Sequence, residues 1–500
     1  MTDNTYLLGI DFGTESVRAA IFDLAGRPVS FAATTYRTTH PHPGWAEQDP
    51  EEWWEALQAS CRKVIAASGI SPAAIKGISY DATTMTVVAM DKRGEALRPA
   101  IMWMDVRATE QAARAEKSDS VARLYNGRGT APATAEWYPF KAAWLRENER
   151  ETYDAAFRLV DAPDWVTYKL TGEWTTNINS AALRMYYNRD HGGWPVDFYE
   201  TIGCGDVFDK IPEKVVDLGT PVGELSVIAA QLLGLHPGTP VAQGPADAWA
   251  GQIGLGVVDP GVMALITGSS HVLTGQTDKP IHGKGFFGAY TDGVVKGQYT
   301  VEGGQVSTGS VLKWFKDNFA RDLIQAAEVT GLNVYDILNK QSKDLPPGSE
   351  GLIINEYFQG NRTPYTDSKA RGVIWGLSLH HGPAHIYRAI QESVCYGTAH
   401  NLRAMSAAGF EVKKIVAAGG ATKSRDWMQM HADVTGVPIA LTEVGDAVVL
   451  GSCMLAAVGA GLHPDLGTAA REMVHEIDLL EPNQRRHEEY QYFVDAYANT

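Results

Sequence analysis

The sequence is poor in cysteine, and its four cysteines are not spaced for metal binding. Cys61, Cys204, Cys395 and Cys453 stand apart from one another, without a CxxC pair. Scattered cysteines of this kind are typical of a reducing compartment and exclude a standard zinc site. The sequence also lacks a recognisable signal peptide and any apolar run long enough to span a membrane. Together these absences predict a cytoplasmic protein.

The sequence also has fewer basic residues than acidic ones. The chain carries 43 Lys and Arg residues against 59 Asp and Glu residues, which gives a net charge of −16. This balance argues against nucleic acid and against an anionic membrane as partners. It does not exclude ATP, because a local cradle of backbone N–H groups matters more than the total charge. The length of 500 residues predicts two domains.

A turn of small and polar residues lies near the start of the chain, between apolar strands at 7–10 and 17–22. Its residues are Asp11, Phe12, Gly13, Thr14, Glu15 and Ser16. Gly13 allows backbone N–H groups to approach an anion closely. A carboxylate beside a phosphate is repelled unless a divalent cation lies between them, so Asp11 indicates Mg²⁺ held with a nucleotide. Taken alone, the stretch is equally well explained as an ordinary hairpin with an acidic turn.

Two further glycine turns repeat this pattern later in the chain. The first follows an apolar strand that begins at Gly261, and it contains Thr267, Gly268, Ser269 and Ser270. The second follows an apolar strand at 414–418, and it contains Gly419, Gly420, Ala421, Lys423 and Ser424. Two phosphate-binding hairpins half a chain apart, with a Gly-Gly turn that opens a helix, are typical of an actin-like fold.

In their order along the chain, these turns and the segments 135–148 and 372–392 resemble the FGGY family of carbohydrate kinases. The resemblance implies an α/β protein with two actin-like (ribonuclease H-like) ATPase domains and a cleft between them. We expect an N-terminal domain at 1–256 with the sugar site and the first phosphate loop. A C-terminal domain at 257–500 would hold the second phosphate loop and the adenosine site, with a hinge near 254–261. The implied cofactors are ATP and Mg²⁺.

The resemblance also implies which residues contact the nucleotide. The segment 302–315 resembles the mouth of the family's ATP site and is predicted to be a glycine turn that leads into a helix. Gln305 in this segment could instead cap the helix. The predicted nucleotide-binding residues are Gly13, Thr14, Glu15, Ser16, Thr267, Gly268, Ser269, Ser270, Gln305, Gly309, Gly419, Gly420, Ala421, Lys423 and Ser424, and the predicted metal ligands are Asp11 and Asp247.

The candidate catalytic residue is Asp247, which follows an apolar strand at 240–242 and opens a helix of small residues. A sugar hydroxyl ionises far above pH 7, so its attack on a γ-phosphate needs a carboxylate to accept the proton. An aspartate in the first turn of a helix also favours the helix dipole, and the residues alone do not separate these two interpretations. The resemblance places the family's catalytic base at Asp247.

Several polar residues at the ends of predicted strands and helices are candidates for sugar binding, since ligands bind beyond the carboxyl ends of strands in open sheets. For Arg107, an internal ion pair with Asp105 is as good an explanation as a sugar contact, and the resemblance favours the sugar. Arg184 occupies a position where ribulokinases are expected to carry lysine. The predicted sugar-binding residues are Asp81, Thr84, Arg107, Glu136, Arg184, Asp247 and Glu302.

Two other groups of residues are predicted to be structural. Trp45, Trp53 and Trp54 could form a sugar platform, but packing is the better interpretation because aromatic residues dominate protein cores. Histidines at 380, 381 and 385 suggest a metal cluster, and we do not expect one because no cysteine or carboxylate completes the ligand set.

These observations predict an enzyme that phosphorylates a primary hydroxyl of a small sugar with ATP. The segments 80–84 and 103–107 look more like those of ribulokinase-type pentulose kinases than those of glycerol kinases or xylulokinases, so we expect a ribulose-like ketopentose. Xylulose and a four-carbon polyol such as erythritol are the alternatives. A hypothesis of another class is a non-catalytic, actin-like nucleotide-binding regulator. A homodimer is compatible with the sequence, which does not fix the oligomeric state.

Overall fold

A computed structural model describes residues 5–126, 129 and 132–500 of the chain. Its elements in the first half are β1 (Tyr6–Phe12), β2 (Ser16–Asp23), β3 (Pro28–Thr35), β4 (Glu47–Gln48), α1 (Pro50–Ser68), β5 (Ile75–Ala82), β6 (Val87–Met90), β7 (Ala100–Ile101), α2 (Thr109–Ala115), α3 (Tyr138–Asn148), α4 (Arg150–Ala155), β8 (Arg158–Asp161), α5 (Ala162–Thr171), β9 (Thr176–Asn177), α6 (Ile178–Arg184), α7 (Val196–Ile202), β10 (Val215–Val216), β11 (Pro221–Glu224), α8 (Val227–Leu233), β12 (Pro240–Ala242) and α9 (Asp247–Gly254).

The elements of the second half are β13 (Val262–Thr267), β14 (His271–Thr277), β15 (Phe287–Thr291), β16 (Tyr299–Gln305), α10 (Gly309–Phe319), α11 (Arg321–Thr330), α12 (Val334–Ser342), β17 (Ile353–Asn355), β18 (Val373–Trp375), α13 (Pro383–Ala407), β19 (Lys414–Gly419), α14 (Arg425–Thr435), β20 (Ile439–Thr442), α15 (Ala447–Gly459), α16 (Leu466–Met473), β21 (Glu476–Leu480) and α17 (Gln484–Ala498).

The two halves are built around two large sheets of the same design. The first sheet has the order β11-β12-β5-β1-β2-β3, and the second has the order β15-β16-β14-β13-β19-β20-β21. In each, a hairpin (β1–β2 or β13–β14) is extended by a third antiparallel strand, and its first strand lies parallel to a later one. This duplicated arrangement confirms the prediction of two related α/β domains.

The helix α1 shows how local sequence fixes an element that supports the first sheet. Asp49 accepts a hydrogen bond from the Glu51 backbone N–H, proline occupies the first turn, and Gly69 ends the helix at φ 68°. Each feature is one that favours a helix start or stop. Trp53 and Trp54 are buried and meet Trp165 edge-on at 5.4 and 6.5 Å. These two tryptophans therefore pack in the core, as predicted.

The helices α9 and α15 cross at very short distance and join the two halves of the chain. A Cβ atom on Gly254 would lie 1.7 Å from the Ala447 carbonyl oxygen, and one on Gly451 would lie 1.9 Å from that of Ala250. Only glycine permits backbones to approach this closely. Although α15 belongs to the second half of the sequence, it also packs against β1 and β5 of the first sheet.

The segment that begins at Glu302 differs from its prediction. Residues 302–305 are the end of β16 and not a glycine turn, and the turn falls at 306–308 before α10. Gly304 serves the close approach of β16 to β14, because a Cβ there would lie 2.3 Å from the His271 carbonyl oxygen. Glycine here is explained by strand packing and not by a turn.

Among the helices of the described residues, none combines the length and the apolar character needed to cross a membrane.

Candidate active site

Three predicted carboxylates meet where the strands of the first sheet end. Asp11 on β1 lies beside Asp81 on the parallel strand β5. A β-bridge between Ala82 and Ala246 then sets Asp247, the first residue of α9, next to this pair. The sequence placed these residues on separate strand ends, and the sheet order brings them to one edge of the cleft.

An arginine that the sequence analysis missed lies among these acids. Arg18 forms ion pairs with Asp11 and, at 3.0 Å, with Asp446 just before α15. In the hairpin register Arg18 is directly opposite Asp11. That register follows from a turn at 13–16, so counting across the predicted hairpin was the signal that could have found it. Arg18 brings a fixed positive charge to the centre of the acidic cluster.

Burial has a strong effect on the acids of this cluster. Asp11 and Asp81 are fully buried, and Asp247 is half-buried. Loss of solvation raises the pKa of Asp81 and that of Asp247 above the usual value for aspartate. Ser452 on α15 donates to Asp81 Oδ2 at 2.7 Å. Within the described residues, the buried Oδ1 atoms of Asp11 and Asp81 accept no hydrogen bond, which is the condition in which carboxylates bind a divalent cation.

The first glycine turn is held in place by hydrogen bonds to its backbone carbonyls and to the Thr14 hydroxyl. The Gly13 N–H donates to the Ser16 carbonyl at 3.0 Å, which closes the turn. Tyr36 and Gln48 brace it through the carbonyls of Gly13 and Thr14. The indole N–H of Trp103 donates to the Thr14 hydroxyl at 3.1 Å. Glu15 at the tip is exposed, and Gly13, Thr14 and Ser16 are partly exposed.

The second and third glycine turns are bonded to each other. The Thr267 hydroxyl donates to the Ala418 carbonyl at 2.7 Å and accepts from the Ala421 N–H at 3.1 Å. A Cβ atom on Gly419 would lie 2.0 Å from the Thr267 carbonyl oxygen. The Gly268 N–H closes the second turn onto the Ser270 carbonyl at 2.9 Å. Strand β19 thus fixes the spacing between the two turns.

A cavity of about 420 Å³ lies between these turns and the helices α12 and α13. Six predicted nucleotide-binding residues line it, namely Gly268, Gly309, Gly420, Ala421, Lys423 and Ser424. Tyr335, Asn339 and Gln391 also line it and were not predicted to do so. Gln391 donates to the Asn339 side-chain oxygen at 3.2 Å. The cavity has the size and the mixed polar and apolar lining of a small-molecule site.

Gln305 is placed away from this cavity. Its amide nitrogen donates to Glu356 at 2.9 Å and to the Val394 carbonyl at 3.0 Å, and its oxygen accepts from Thr398. Gln305 is buried and bonded within the C-terminal core. The glycine-rich segment suggested a nucleotide contact, whereas β16 directs this side chain inward.

Two predicted sugar-binding residues contact each other across the cleft. Arg184 at the end of α6 donates to Glu302 on β16 at 2.5 Å and to the Tyr290 hydroxyl at 2.6 Å. The guanidinium carbon is also 5.4 to 5.8 Å from the ring centres of Trp137, Trp249, Phe287 and Tyr290. The arginine thus contacts one acid and four aromatic side chains, one of which, Tyr290, also accepts its hydrogen bond.

Arg107 forms the internal ion pair that the sequence analysis considered as an alternative to a sugar contact. Its guanidinium group donates to Asp105 and Glu47 at 2.8 Å and lies 3.8 Å from the ring centre of Trp45. The side chain is fully buried. These contacts indicate that Arg107 stabilises the loop after β7. The same loop carries Trp103, which bonds to the first glycine turn.

The remaining predicted sugar residues lie around a bend at the end of β5. The buried Thr84 hydroxyl has no hydrogen-bond partner among the described residues. Met85 has a left-handed backbone (φ 57°), and the amine of Lys141 donates to its carbonyl at 2.8 Å. Lys141 also donates to the Met102 carbonyl at 2.6 Å. Glu136 accepts a long hydrogen bond of 3.4 Å from the Thr134 hydroxyl.

The histidine cluster differs from its prediction, because a carboxylate does join it. Glu350 lies 2.6 Å from His380 Nε2 and 3.3 Å from His385 Nε2. However, Nδ1 of His385 accepts from the Gly382 N–H and Nδ1 of His381 accepts from the Ser378 N–H. In the neutral rings this places the protons on Nε2, where they donate toward Glu350. The cluster is thus a hydrogen-bonded anchor, and metal binding would break its caps.

Comparison with known proteins gives matches over both halves of the chain. The profile of the FGGY family of carbohydrate kinases, N-terminal domain, matches residues 6–254, and that of the C-terminal domain matches residues 263–460. An FGGY carbohydrate kinase domain-containing protein from Xenopus laevis is 31% identical, with 99% of this chain and 95% of the relative covered.

A ribulokinase from Anoxybacillus flavithermus is 30% identical over 91% of this chain and 86% of its own length. Among solved structures, a xylulose kinase from Rhodospirillum rubrum superposes with a TM-score of 0.86 at 26% identity, covering 99% of this chain and 98% of that one.

Proposed function

The chain belongs to the FGGY family of carbohydrate kinases, and from that premise we propose that it transfers the γ-phosphate of ATP to a primary hydroxyl of a ribulose-like ketopentose. The observation that carries the proposal is the position of Asp247. It stands at the N-terminal end of α9, beside Asp81 and in the same cleft as Arg18. The proposal sets its carboxylate between the predicted phosphate loops and the predicted sugar residues.

Asp247 is the general base of the proposed reaction. One of its oxygens accepts from the Ala248 N–H at 2.7 Å, which fixes the carboxylate and leaves its second oxygen for the sugar hydroxyl. Burial raises its pKa above the usual value for aspartate, so the carboxylate is a better proton acceptor than one in water. The proton leaves the hydroxyl for Asp247 as the new O–P bond forms and the bond to ADP breaks.

The nucleotide is assigned to the cavity beside the second and third glycine turns. The N-terminus of α10 is anchored there, since the Gly309 N–H donates to the Gly268 carbonyl at 3.2 Å. The small residues Gly420 and Ala421 leave room for a flat ring, and Lys423 supplies a positive charge. The phosphates would extend from this cavity toward the first turn, where Arg18 is the nearest cation of the acidic cluster.

The acidic cluster fits a magnesium ion. The buried Oδ1 atoms of Asp11 and Asp81 accept no hydrogen bond among the described residues and are hard oxygen ligands of the kind that Mg²⁺ prefers. Asp247, the other predicted ligand besides Asp11, is a charged neighbour of Asp81. When bound, the ion would neutralise charge on the phosphates. Without it, Arg18 is the positive charge that offsets Asp11 and Asp446.

The choice of a ketopentose is supported by the surroundings of Arg184. Its planar guanidinium group offers several donors in a fixed geometry, which suits neighbouring sugar hydroxyl groups or a keto oxygen. Glu302 offers an acceptor beside it, and Trp249 offers an apolar face. A ribulokinase is among the relatives at 30% identity. Xylulose is the second candidate, because a xylulose kinase has the same overall fold at a TM-score of 0.86.

A coupled assay of ADP release over a panel of ketoses and polyols tests the proposal. We expect the largest kcat/KM for a ribulose isomer, with smaller values for xylulose and erythritol. If kcat/KM is largest for xylulose or erythritol, the proposed substrate is wrong but the proposed phosphoryl transfer stands. ATP turnover that is indifferent to every sugar would favour a nucleotide-binding regulator over a kinase.

A further inference from the structure

Three successive carbonyl groups of the first glycine turn accept hydrogen bonds from two residues that follow β3. The Tyr36 hydroxyl donates to the Gly13 carbonyl, and the Tyr36 backbone N–H donates to the Glu15 carbonyl at 3.2 Å. Between them, the Gln48 amide nitrogen donates to the Thr14 carbonyl at 2.7 Å. The turn is therefore held at each of three consecutive peptide groups, and Tyr36 and Gln48 provide all three bonds.

The bonds to the carbonyls also decide the direction of the backbone N–H groups in the turn. In a planar trans peptide, the C=O of one residue and the N–H of the next residue point in opposite directions. The N–H groups of Thr14 and Glu15 are thus turned away from the groups that bind the carbonyls. Within the described residues, neither N–H donates to a protein acceptor. Two successive N–H groups of this kind form a small concave site that suits an anion.

The orientation of the Gln48 amide is fixed by an indole. Trp53 at the start of α1 donates its indole N–H to the Gln48 side-chain oxygen at 2.8 Å. An indole nitrogen is only a donor, so the amide oxygen must face it and the amide nitrogen must face the turn. The same nitrogen also donates to the Thr38 hydroxyl at 2.7 Å. Gln48 is buried, and rotation of its amide would break all three bonds.

The Tyr36 hydroxyl remains a donor beside the acidic cluster. Burial raises the pKa of this hydroxyl, and the charges of Arg18, Asp247 and Asp81 also act on it. The phenol is therefore protonated at neutral pH and can bond the Gly13 carbonyl there. Its electrostatic neighbours include the proposed base and the arginine of the cluster, so this bond lies close to the proposed site of phosphoryl transfer.

We propose that Tyr36 and Gln48 are positioning residues for the terminal phosphate of ATP. They act through the backbone, because they hold the carbonyls of Gly13 and Thr14 so that the following N–H groups receive the phosphate. The inference rests on the proposed function, in which the phosphates extend from the nucleotide cavity toward this turn. Neither residue was among the predicted nucleotide-binding residues. Since the base and ribose are assigned to the cavity, Tyr36 and Gln48 should affect the terminal phosphate and little else of the nucleotide.

Titration calorimetry in the presence of Mg²⁺ separates the terminal phosphate from the rest of the nucleotide. We expect Tyr36→Phe, which removes only the hydroxyl, to weaken binding of the ATP analogue AMP-PNP about 10-fold and binding of ADP less than about 2-fold. Gln48→Met, which has a similar size and no donor, should have the same effect. In both variants kcat for sugar-dependent ADP release should fall about 10-fold, while the melting temperature changes little.

Tyr168→Phe is the matched control, because the Tyr168 hydroxyl also donates to a backbone carbonyl, that of Arg93 at 3.3 Å. This variant should bind both nucleotides as the wild type does. Unchanged AMP-PNP binding in Tyr36→Phe or Gln48→Met would remove that residue from the role. An equal loss for AMP-PNP and ADP would overturn the inference and leave the proposed function standing. A wild type that binds neither nucleotide would refute the proposed function and the inference together.

Discussion

Asp247 is the residue on which the proposed chemistry depends. We expect Asp247→Asn to lower kcat by 10²- to 10⁴-fold, the range that general-base catalysis contributes, because an amide cannot accept the proton. The substitution keeps the size of the side chain, so the affinity for ATP and the melting temperature should change little. Steady-state kinetics and nucleotide titration separate the two effects. Near-normal turnover would remove Asp247 from the role of base.

Arg184 is the residue expected to set the preference among sugars. Lysine at this position keeps the charge but can reach only one of the two partners, Glu302 or Tyr290, that the guanidinium group bonds now. We expect Arg184→Lys to lower kcat/KM for the best ketopentose about 10-fold and to change its ratio to the others, as measured on the same sugar panel. Arg37→Lys, on the exposed surface, is the control. An unchanged ratio would show that Arg184 does not contact the sugar.

The environment of Glu356 predicts that the stability of the fold depends on pH. Burial raises the pKa of this carboxyl from 4.5 to about 7, while Tyr497 donates to it at 2.8 Å. Between these pH values the folded chain holds the proton and the unfolded chain does not, so stability falls as the pH rises through this window. In the wild type we expect the free energy of unfolding to fall by on the order of 3 kcal/mol between pH 5 and pH 8 because of this carboxyl. In Glu356→Gln this contribution should be absent.

Urea unfolding at the two pH values measures this effect. The exposed Glu55→Gln substitution should leave the difference between pH 5 and pH 8 as it is in the wild type. If Glu356→Gln also leaves that difference unchanged, Glu356 is ionised in the folded protein and its assignment is wrong.

At the residue scale, the sequence predicted the acids of the cluster better than their partners. Asp11, Asp81 and Asp247 were found because each follows a strand or opens a helix. Arg18 was missed, although the hairpin register sets it opposite Asp11. The ion pair of Arg107 with Glu47 joins residues 60 positions apart, and no local pattern reports such a contact.

At the scale of elements, the crossing of α9 and α15 is the feature most sensitive to substitution. A methyl group on Gly451 would fall 1.9 Å from a backbone oxygen of α9, and backbone cannot move aside as a flexible side chain can. We expect Gly451→Ala to lower stability by about 1–3 kcal/mol or more and to reduce the melting temperature by several degrees. Gly382→Ala is the control, since nothing lies within 4 Å of its Cβ position. Equal melting temperatures for the two variants would contradict the packing argument.

The same elements show what periodicity can and cannot predict. The caps of α1 and the apolar run of α15 are local features, which can be identified in the sequence without knowledge of the fold. The packing of α15 against the first sheet depends on contacts with residues more than 300 positions earlier, such as Gly77 with Ala456. The glycines of β16 were misinterpreted as a turn because close strand packing and a tight turn require the same residue.

At the scale of the whole molecule, ion pairs join the two halves at the cleft. Arg18 and Asp446 meet beside the proposed phosphate site, and Arg184 and Glu302 meet beside the proposed sugar site. Both pairs combine a residue of the first half with one of the second. The two substrates would therefore bind next to charges that already hold the halves together, which links binding to the relative position of the domains.

The most direct test of the account is to follow the transferred phosphate. The wild-type chain is mixed with ATP, Mg²⁺ and a ribulose isomer, and the product is identified by phosphorus NMR. We expect one phosphosugar for each ADP, with the phosphate on a primary hydroxyl. In the time that the wild type needs to convert its substrate, Asp247→Asn should form no detectable phosphosugar. Release of ADP with free phosphate alone, or the same phosphosugar from Asp247→Asn at the wild-type rate, would contradict it.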